Sequence, residues 1–462
     1  MSKILDEAMS YASSNSLAND PVYLPTTSRK ITRRGILWLG QTCNLRCHFC
    51  YFLDRIENPA HPEHAFMSLE KAKEICWTLV DYYGNNSIDI QGGEPTLHPS
   101  IYDLVEYSAD IGLSPTLITN AIALSKRENV VRFKRAGIRD FLISVQGLGK
   151  VYDQIVCREG SHVRQMKALR NLQQVGIPFR FNTVLSKAVL PQLMDISKLA
   201  VDTGVGVVNF LGFNPFNDQQ TGKRSIENVP SYIELLEPLE AAIDYLIAEN
   251  VEVNVRYLPL CLVPEQQRPN AYGFKQLPYD LHENDYASWS WTDLPPQRSA
   301  VAELTPPFGL GRRLHLGAIR APLRELDRRW PKLGNRLHQV KQGLERSWAK
   351  DRDLCEDSAA LEQRYQDDAV VRAQEYTGYR HVSGCESCSL RPICDGVYGD
   401  YADLFGVEGI RPVRLGMAVV DPQHYTRQQH KVIHPLDRGW LEGTDPSVPE
   451  CDTETEVSGV GE

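Results

Sequence analysis

The stretch Gly35-Ile-Leu-Trp-Leu-Gly-Gln-Thr-Cys43-Asn-Leu-Arg-Cys47-His-Phe-Cys50-Tyr-Phe52 decides how the chain is read. Its first half, Ile36–Gly40, is an apolar run of strand length closed by a glycine. Cys43, Cys47 and Cys50 follow at once with the spacing C-x3-C-x2-C. An iron–sulfur cubane usually takes four thiolates, one for each iron. Three cysteines from one loop therefore leave an iron open to a substrate or cofactor. The competing reading is a structural zinc ion, which needs four ligands around one centre. His48 would have to complete that set inside a single tight turn. Phe49 and Tyr51 flank Cys50 and are candidate contacts to the bound group.

Working outward, short apolar runs alternate with amphipathic stretches from Gly35 to about Arg256. Strands are expected at Ile36–Gly40, Ser87–Gln91, Pro115–Thr119, Asp140–Val145, Phe179–Leu185 and Val205–Leu211, with a seventh strand-like run at Val251–Tyr257. Helices are expected at Ser68–Tyr83, with Ser68 as N-cap, and at Ser161–Gln174, where Val163, Met166, Leu169, Leu172 and Val175 keep a helical period. Such alternation makes an α/β fold with a parallel sheet covered by helices. The pattern alone leaves an open doubly wound sheet and a barrel both standing. In either, ligands bind at the carboxyl ends of the strands.

The second strand runs into Gln91-Gly-Gly-Glu-Pro95. Together with the C-x3-C-x2-C loop and the aromatic after Cys50, this motif resembles the radical S-adenosylmethionine (radical SAM) superfamily. The resemblance implies a partial, six-stranded (β/α)6 barrel of the TIM type. It also implies a [4Fe-4S] cluster on Cys43, Cys47 and Cys50 whose free iron is chelated by SAM. One electron would then cleave SAM to methionine and a 5′-deoxyadenosyl radical that abstracts hydrogen from substrate. By the same resemblance Gly92, Gly93 and Glu94 bind SAM, with Glu94 accepting from its amino group. Asn120, Ser144 and Gln146, and Asn182 follow at the ends of the third, fourth and fifth strands. Ser144 and Gln146 match the position that hydrogen-bonds the ribose or carboxylate in relatives, and the sixth strand would present backbone near adenine. Taken singly, Asn120, Ser144 and Asn182 serve equally well as turn residues or strand-end caps. Their joint placement on one rim favours ligand contact. Cys76, on an apolar helix face, reads as a buried small hydrophobe, and Cys157 as an unliganded thiol.

Near the other end, Cys385, Cys388 and Cys394 form a C-x2-C-x5-C knuckle followed by Asp395 and Gly396. The knuckle resembles the auxiliary-cluster extensions called SPASM and twitch. The fuller SPASM pattern expects a further cysteine where this chain has Tyr398, so one auxiliary [4Fe-4S] cluster is expected rather than two. Cys261 is the expected fourth ligand and Cys355 the alternative, with zinc as the competing metal.

The 462 residues thus divide into an N-terminal extension (1–34), the radical SAM partial barrel (35–256), an insert (257–384), the auxiliary-cluster segment (385–436) and a tail (437–462). The tail carries eight acids and one Arg and reads as disordered. In the insert, Leu262–Pro307 is rich in Pro, Tyr and Trp and suggests an irregular lid, while Ala318–Lys350 suggests basic amphipathic helices. No apolar run reaches the roughly 20 residues of a membrane span, and no secretory signal opens the chain. With eleven cysteines and a cluster to protect, the expected compartment is the reducing cytoplasm. The substrate is expected to be a small biosynthetic metabolite or a peptide, with an electron donor of the flavodoxin or ferredoxin type and no nucleic acid. Residues 1–34 are too few for a leader-binding module. Rivals are a non-catalytic zinc- or iron–sulfur-binding regulator and, from the basic helices alone, a tRNA- or lipid-modifying radical SAM enzyme.

Overall fold

The computed structural model describes residues 24–26, 33–50, 52–61, 64–81, 85, 87–217, 224–277, 284–289 and 378–433. The basic helices, the acidic tail, Cys355 and Tyr51 lie outside the described residues, as does most of the N-terminal extension. A short strand β1 (Leu24–Thr26) precedes the main sheet. The sheet contains β2 (Arg33–Trp38), β3 (Ser87–Gln91), β4 (Ser114–Thr119), β5 (Asp140–Ser144), β6 (Phe179–Leu185), β7 (Val207–Gly212) and β8 (Glu252–Arg256), side by side in chain order and all parallel. A parallel ladder needs a crossover between neighbours, and helices supply it. These are α1 (Leu53–Glu57), α2 (Leu69–Asp81), α3 (Ile101–Asp110), α4 (Arg127–Ala136), α5 (Gly149–Ile155), α6 (Ser161–Val175), α7 (Leu193–Asp202) and α8 (Tyr232–Ala248). The expected α/β partial barrel is what the chain forms.

Three details differ from expectation. The first strand starts at Arg33, because Arg34 is buried in an ion pair with Asp89 at 2.7 Å. The sheet also gains β9 (Ala271–Tyr272) beside β8 and β10 (Asn284–Trp289) beside β2. The latter lies within the segment expected to be an irregular lid. Its aromatic-containing Asn-Asp-Tyr-Ala-Ser-Trp run suits a strand, and it covers an edge that β2 would otherwise expose. The third difference is in α6, where Val163 is 68% exposed while Gln165 and Asn171 are buried. The apolar period was misleading there because the buried polar amides serve carbonyls: Gln165 Nε2 donates to Asn120 and Ser144 oxygens, and Asn171 Nδ2 to those of Leu124 and Ser125. At α2 the expected cap holds, with Ser68 Oγ accepting from Lys71 N at 3.2 Å.

After the knuckle come β11 (Tyr379–Arg380) paired with β12 (Val397–Tyr398), helix α9 (Gly399–Phe405), and β13 (Lys431–Ile433) paired with β1. Lys431 Nζ meets Glu252 Oε1 at 2.6 Å with both side chains almost fully buried, and Val432 N adds a bond to Glu252 Oε2. This anchors the C-terminal segment to the amino end of β8. Buried charges of this kind are tolerated only when paired. Asp89 and Asp140 lie at one level of the sheet, on either side of Thr116 in β4, and each pairs with an arginine of the next strand outward, Arg34 and Arg180. Although burial pushes the Asp140 carboxyl up, Arg180 holds it down at about 2. The charged pairs thus fill the amino ends of the strands and leave the carboxyl ends for the site.

Candidate functional site: the carboxyl rim and a four-thiol cleft

The carboxyl ends of β2 and β3 are joined backbone to backbone. Gly93 N donates to Gly40 O at 2.7 Å, Glu94 N to Thr42 O at 2.9 Å and Leu39 N to Gln91 O at 2.9 Å. A Cβ on Gly93 would stand 2.3 Å from Thr42 O, and one on Gly92, whose φ is +147°, 2.4 Å from Gly40 O. These glycines permit a close approach to the cysteine loop itself. The far side of that loop docks on the end of α5, where Arg46 N donates to Val156 O and His48 N to Ile155 O. Arg158 adds a bond to Asn44 O at 3.0 Å.

Glu94 is 1% exposed. Its Oε1 accepts from Thr96 N, Thr96 Oγ1 and Thr119 Oγ1, and its Oε2 from Asn120 N. Burial raises its carboxyl above the ordinary 4.5, against the pull of those donors. The carboxylate thus braces the ends of β3 and β4. A carboxylate oxygen has two acceptor directions, and Oε2 spends one of them on Asn120. The Asn120 amide is used at both ends: Nδ2 donates to Asn44 Oδ1 and Oδ1 accepts from Ile122 N. Gln146 clamps β6, donating to Asn182 O and accepting from Val184 N at 3.0 Å each. Asn120 and Gln146 thus brace the rim through these bonds.

Ser144 and Asn182 differ. They are directly opposite in register, both are partly exposed, and neither Ser144 Oγ nor the Asn182 amide has a hydrogen-bond partner among the described residues. Residues opposite one another in a ladder share a face. The row continues through Asn209 and Asn254, linked by a 3.2 Å bond. The sequence reading missed both. The signal was a polar residue recurring at one level in consecutive apolar strands. Two other side chains were missed. Asn44, between the first two cysteines, holds the rim through Asn120. Arg224 donates to Phe49 O, the carbonyl before Cys50. Phe49 itself sets its ring edge-on to His48, 6.2 Å between centroids.

Burial pushes the Cys43 thiol up to about 12, with the nearby Glu94 carboxylate adding to the effect. The Cys47 thiol is also driven well above its ordinary range, first by burial and then by Cys43, Cys50 and Cys157. The three loop thiols thus lie within electrostatic reach of one another, and Leu45 N points at Cys43 Sγ at 3.5 Å. Metal binding at such thiols releases their protons. Cys157, with φ +57°, follows the strip on which the loop docks and is exposed. Cys76 is fully buried against Ser108 Oγ, as expected of a core residue.

The second site is a cleft lined by Cys261, Cys385, Cys388 and Cys394 together with His381, Arg391 and Arg411. All four cysteines expected to act together are brought to it. Backbone N–H groups of Gly396 and Val413 lie 3.4 Å from Cys394 Sγ and Cys388 Sγ. Burial raises the Cys394 thiol to about 12 and lifts Cys261 as well. Gly396, at φ +98°, makes the turn expected of it, since a Cβ there would meet Arg380 O at 2.4 Å. Asp395 is buried beneath, accepting from Phe274 N, and burial lifts its carboxyl to about 6. Among the described residues no three His, Cys, Asp or Glu side chains converge on one point as ligands of a single ion. Three thiols at the first site and four at the second are donors of the kind an iron–sulfur cluster takes.

Comparison with known proteins bears on the first site. Residues 39–191, from the end of β2 through the rim of β6, match the radical SAM superfamily. The chain is similar to an AdoMet-dependent heme synthase of Oleidesulfovibrio alaskensis, 30% identical over 37% of this chain and 43% of that protein. It resembles a GTP 3′,8-cyclase of Peptoclostridium acidaminophilum, 33% identical over 45% and 62% respectively. A PqqA peptide cyclase of Bradyrhizobium diazoefficiens is 26% identical over 36% and 43%. The chain spans about half the length of these curated relatives. No helix among the described residues is long and apolar enough to cross a membrane. The residues that carry Cys43, Cys47, Cys50 and the Gly-Gly-Glu-Pro motif thus lie within a radical SAM domain match.

Proposed function

We propose that this chain is a radical SAM enzyme with one auxiliary [4Fe-4S] cluster, acting on a small biosynthetic metabolite or a peptide. The observation that carries the reading is the pairing of a three-thiol loop with a four-thiol cleft on one chain. With three ligands the first cluster keeps one iron open, and with four the second is closed. When bound, the first cluster and SAM would supply the reductive cleavage of SAM and the hydrogen-abstracting radical. Cys43, Cys47 and Cys50 would hold that cluster. Glu94 would offer its remaining Oε2 lone pair to the SAM amino group. Ser144 and Asn182, whose side chains make no bond of their own among the described residues, would take the ribose or carboxylate.

Cys261, Cys385, Cys388 and Cys394 would hold the auxiliary cluster, to which a substrate radical would lose its electron in an oxidation or bond-forming step. The substrate class draws on relatives that act on a nucleotide, a tetrapyrrole and a peptide. An oxygen-sensitive cluster fits a cytoplasmic setting, with a flavodoxin- or ferredoxin-type donor supplying the electron.

Anaerobic reconstitution tests the reading: about eight irons per chain and 5′-deoxyadenosine formed from SAM under dithionite are expected. The Cys43→Ala/Cys47→Ala/Cys50→Ala variant should keep about four irons and form none. Zinc in both sites without SAM cleavage would favour a non-catalytic regulator. 5′-Deoxyadenosine from the triple variant would overturn the cluster assignment.

A further inference from the structure

We infer that Arg224 is a positioning residue for the three-cysteine loop and that, through it, the auxiliary segment helps fix where Cys50 sits. This rests on the functional reading above and deepens it. Arg224 is 8% exposed. One arm of its guanidinium donates to Phe49 O, the carbonyl directly before Cys50, and the other to Asn214 O at 2.5 Å, on the chain leaving β7. The guanidinium lies over the rings of Phe213 and Phe216, 4.7 and 4.2 Å from their centroids. His48, the loop residue after Cys47, stacks on Phe213 at 6.1 Å. A planar, permanently charged fork with two carbonyl partners and two aromatic faces has little freedom left.

The connection does not end at Asn214. Its side-chain Nδ2 donates to the Tyr379 hydroxyl at 3.0 Å, and that hydroxyl donates to Tyr257 O at 3.2 Å. Tyr379 is in β11, paired residue to residue with Tyr398 of β12, and β12 begins three positions after Cys394. Phe216 also reaches Tyr398, 6.2 Å between centroids. Tyr257, where the chain leaves β8, has φ +68°, a conformation a bulky residue keeps only where its surroundings enforce it. A continuous line of hydrogen bonds thus runs from the residue before one cluster ligand to the hairpin beside the other cluster. A fixed cation close to a cluster loop also favours the reduced, more negative cluster, so its loss should lower the potential.

The test uses full-length, anaerobically reconstituted protein and three variants: Arg224→Met, Arg224→Lys and Tyr379→Phe. The readouts are iron content, the change that SAM causes in the electron paramagnetic resonance spectrum of the reduced protein, and the rate of 5′-deoxyadenosine formation. Iron should stay at about eight in all three. In Arg224→Met the SAM-induced spectral change should be altered, the first cluster's midpoint potential more negative, and cleavage about ten- to a hundredfold slower, the usual span for residues supporting a metal ligand. Arg224→Lys, which keeps the charge and one donor, should recover part of the potential and of the rate. Tyr379→Phe, which preserves shape and cuts the line at the auxiliary segment, should alter the same spectrum by a smaller amount. Parent-like spectra and rates in Arg224→Met would overturn the positioning role, and a parent-like spectrum in Tyr379→Phe would overturn the link to the auxiliary segment. If Arg224→Met does not fold, Arg224→Lys decides the first point: a parent-like spectrum, potential and rate would refute it. Parent protein that neither binds iron on the loop nor cleaves SAM would refute the functional reading itself, a result distinct from normal parent and normal variants.

Discussion

Replacing Glu94 with Gln exchanges one buried carboxylate oxygen for an amide nitrogen at a place where four donors converge. If the new nitrogen takes the place of Oε2, it faces Asn120 N–H, donor against donor. If it takes the place of Oε1, it faces Thr96 N–H. The threonine hydroxyls can turn to accept, but a backbone N–H cannot. Either orientation strands one buried N–H, which costs about 1–3 kcal/mol. Working the other way, Gln carries no charge to desolvate, and burial already raises the Glu94 carboxyl above 4.5. The loss should outweigh the relief, because two of the four donors are fixed backbone groups. We expect a net destabilisation of about 1–2 kcal/mol, or about 1–2 °C in melting temperature for a protein of this size. The sign with pH follows from the raised carboxyl. Its contribution to the parent is fully present below 4.5 and is lost as pH rises through the higher folded value. Gln lacks that loss, so the gap between variant and parent should narrow as pH rises. Thermal melts of both metal-free proteins across pH, with calorimetric SAM titration of the reconstituted ones, make the assay. SAM binding should weaken by roughly ten- to a hundredfold if Oε2 also accepts from the amino group, a charge-assisted bond of about 1.5–3 kcal/mol. Identical melting at every pH would refute the brace. Lowered melting with unchanged SAM affinity would leave Glu94 as a brace alone.

Two further substitutions probe the two sites. Cys261→Ala should lose about four irons, keep SAM cleavage and fail to give product, as measured by iron analysis beside 5′-deoxyadenosine and product assays; full iron in that variant with loss in Cys355→Ala would move the fourth ligand to Cys355. Gly93→Ala places a methyl group 2.3 Å from Thr42 O and 2.5 Å from Gln41 O, neither of which can yield without moving the cysteine loop. Its first cluster should therefore fail to assemble while about four irons remain at the auxiliary site, and a normal iron count would show that the loop accommodates the shift.

How far the chain could be read in advance depended on how local each feature was. The cysteine spacings, the strand runs and the Ser68 cap are written in neighbouring residues; the cap stands as read, and the strands form with ends shifted by up to three residues. The union of Cys261 with the knuckle was legible by counting, because three thiols in a turn need a fourth. What escaped was whatever depends on two distant segments meeting. Gly92 and Gly93 announce a close approach, but only the fold says that the neighbour is the Gln41–Thr42 backbone. Asn120 and Gln146 have the same chemistry as Asn182, and only the fold distinguishes the amides already committed to backbone from the one left over. Val163 kept the helical period while facing solvent, since Gln165 and Asn171 take the buried side to satisfy strand-end carbonyls. Arg224 belongs to no motif at all. It matters because the chain leaving β7 passes the cysteine loop, and a guanidinium there reaches a carbonyl of each. The motif residues therefore identify the chemistry, while the residues that hold the motif in place follow from the barrel's geometry. These supporting residues can change without touching a single thiol of either site.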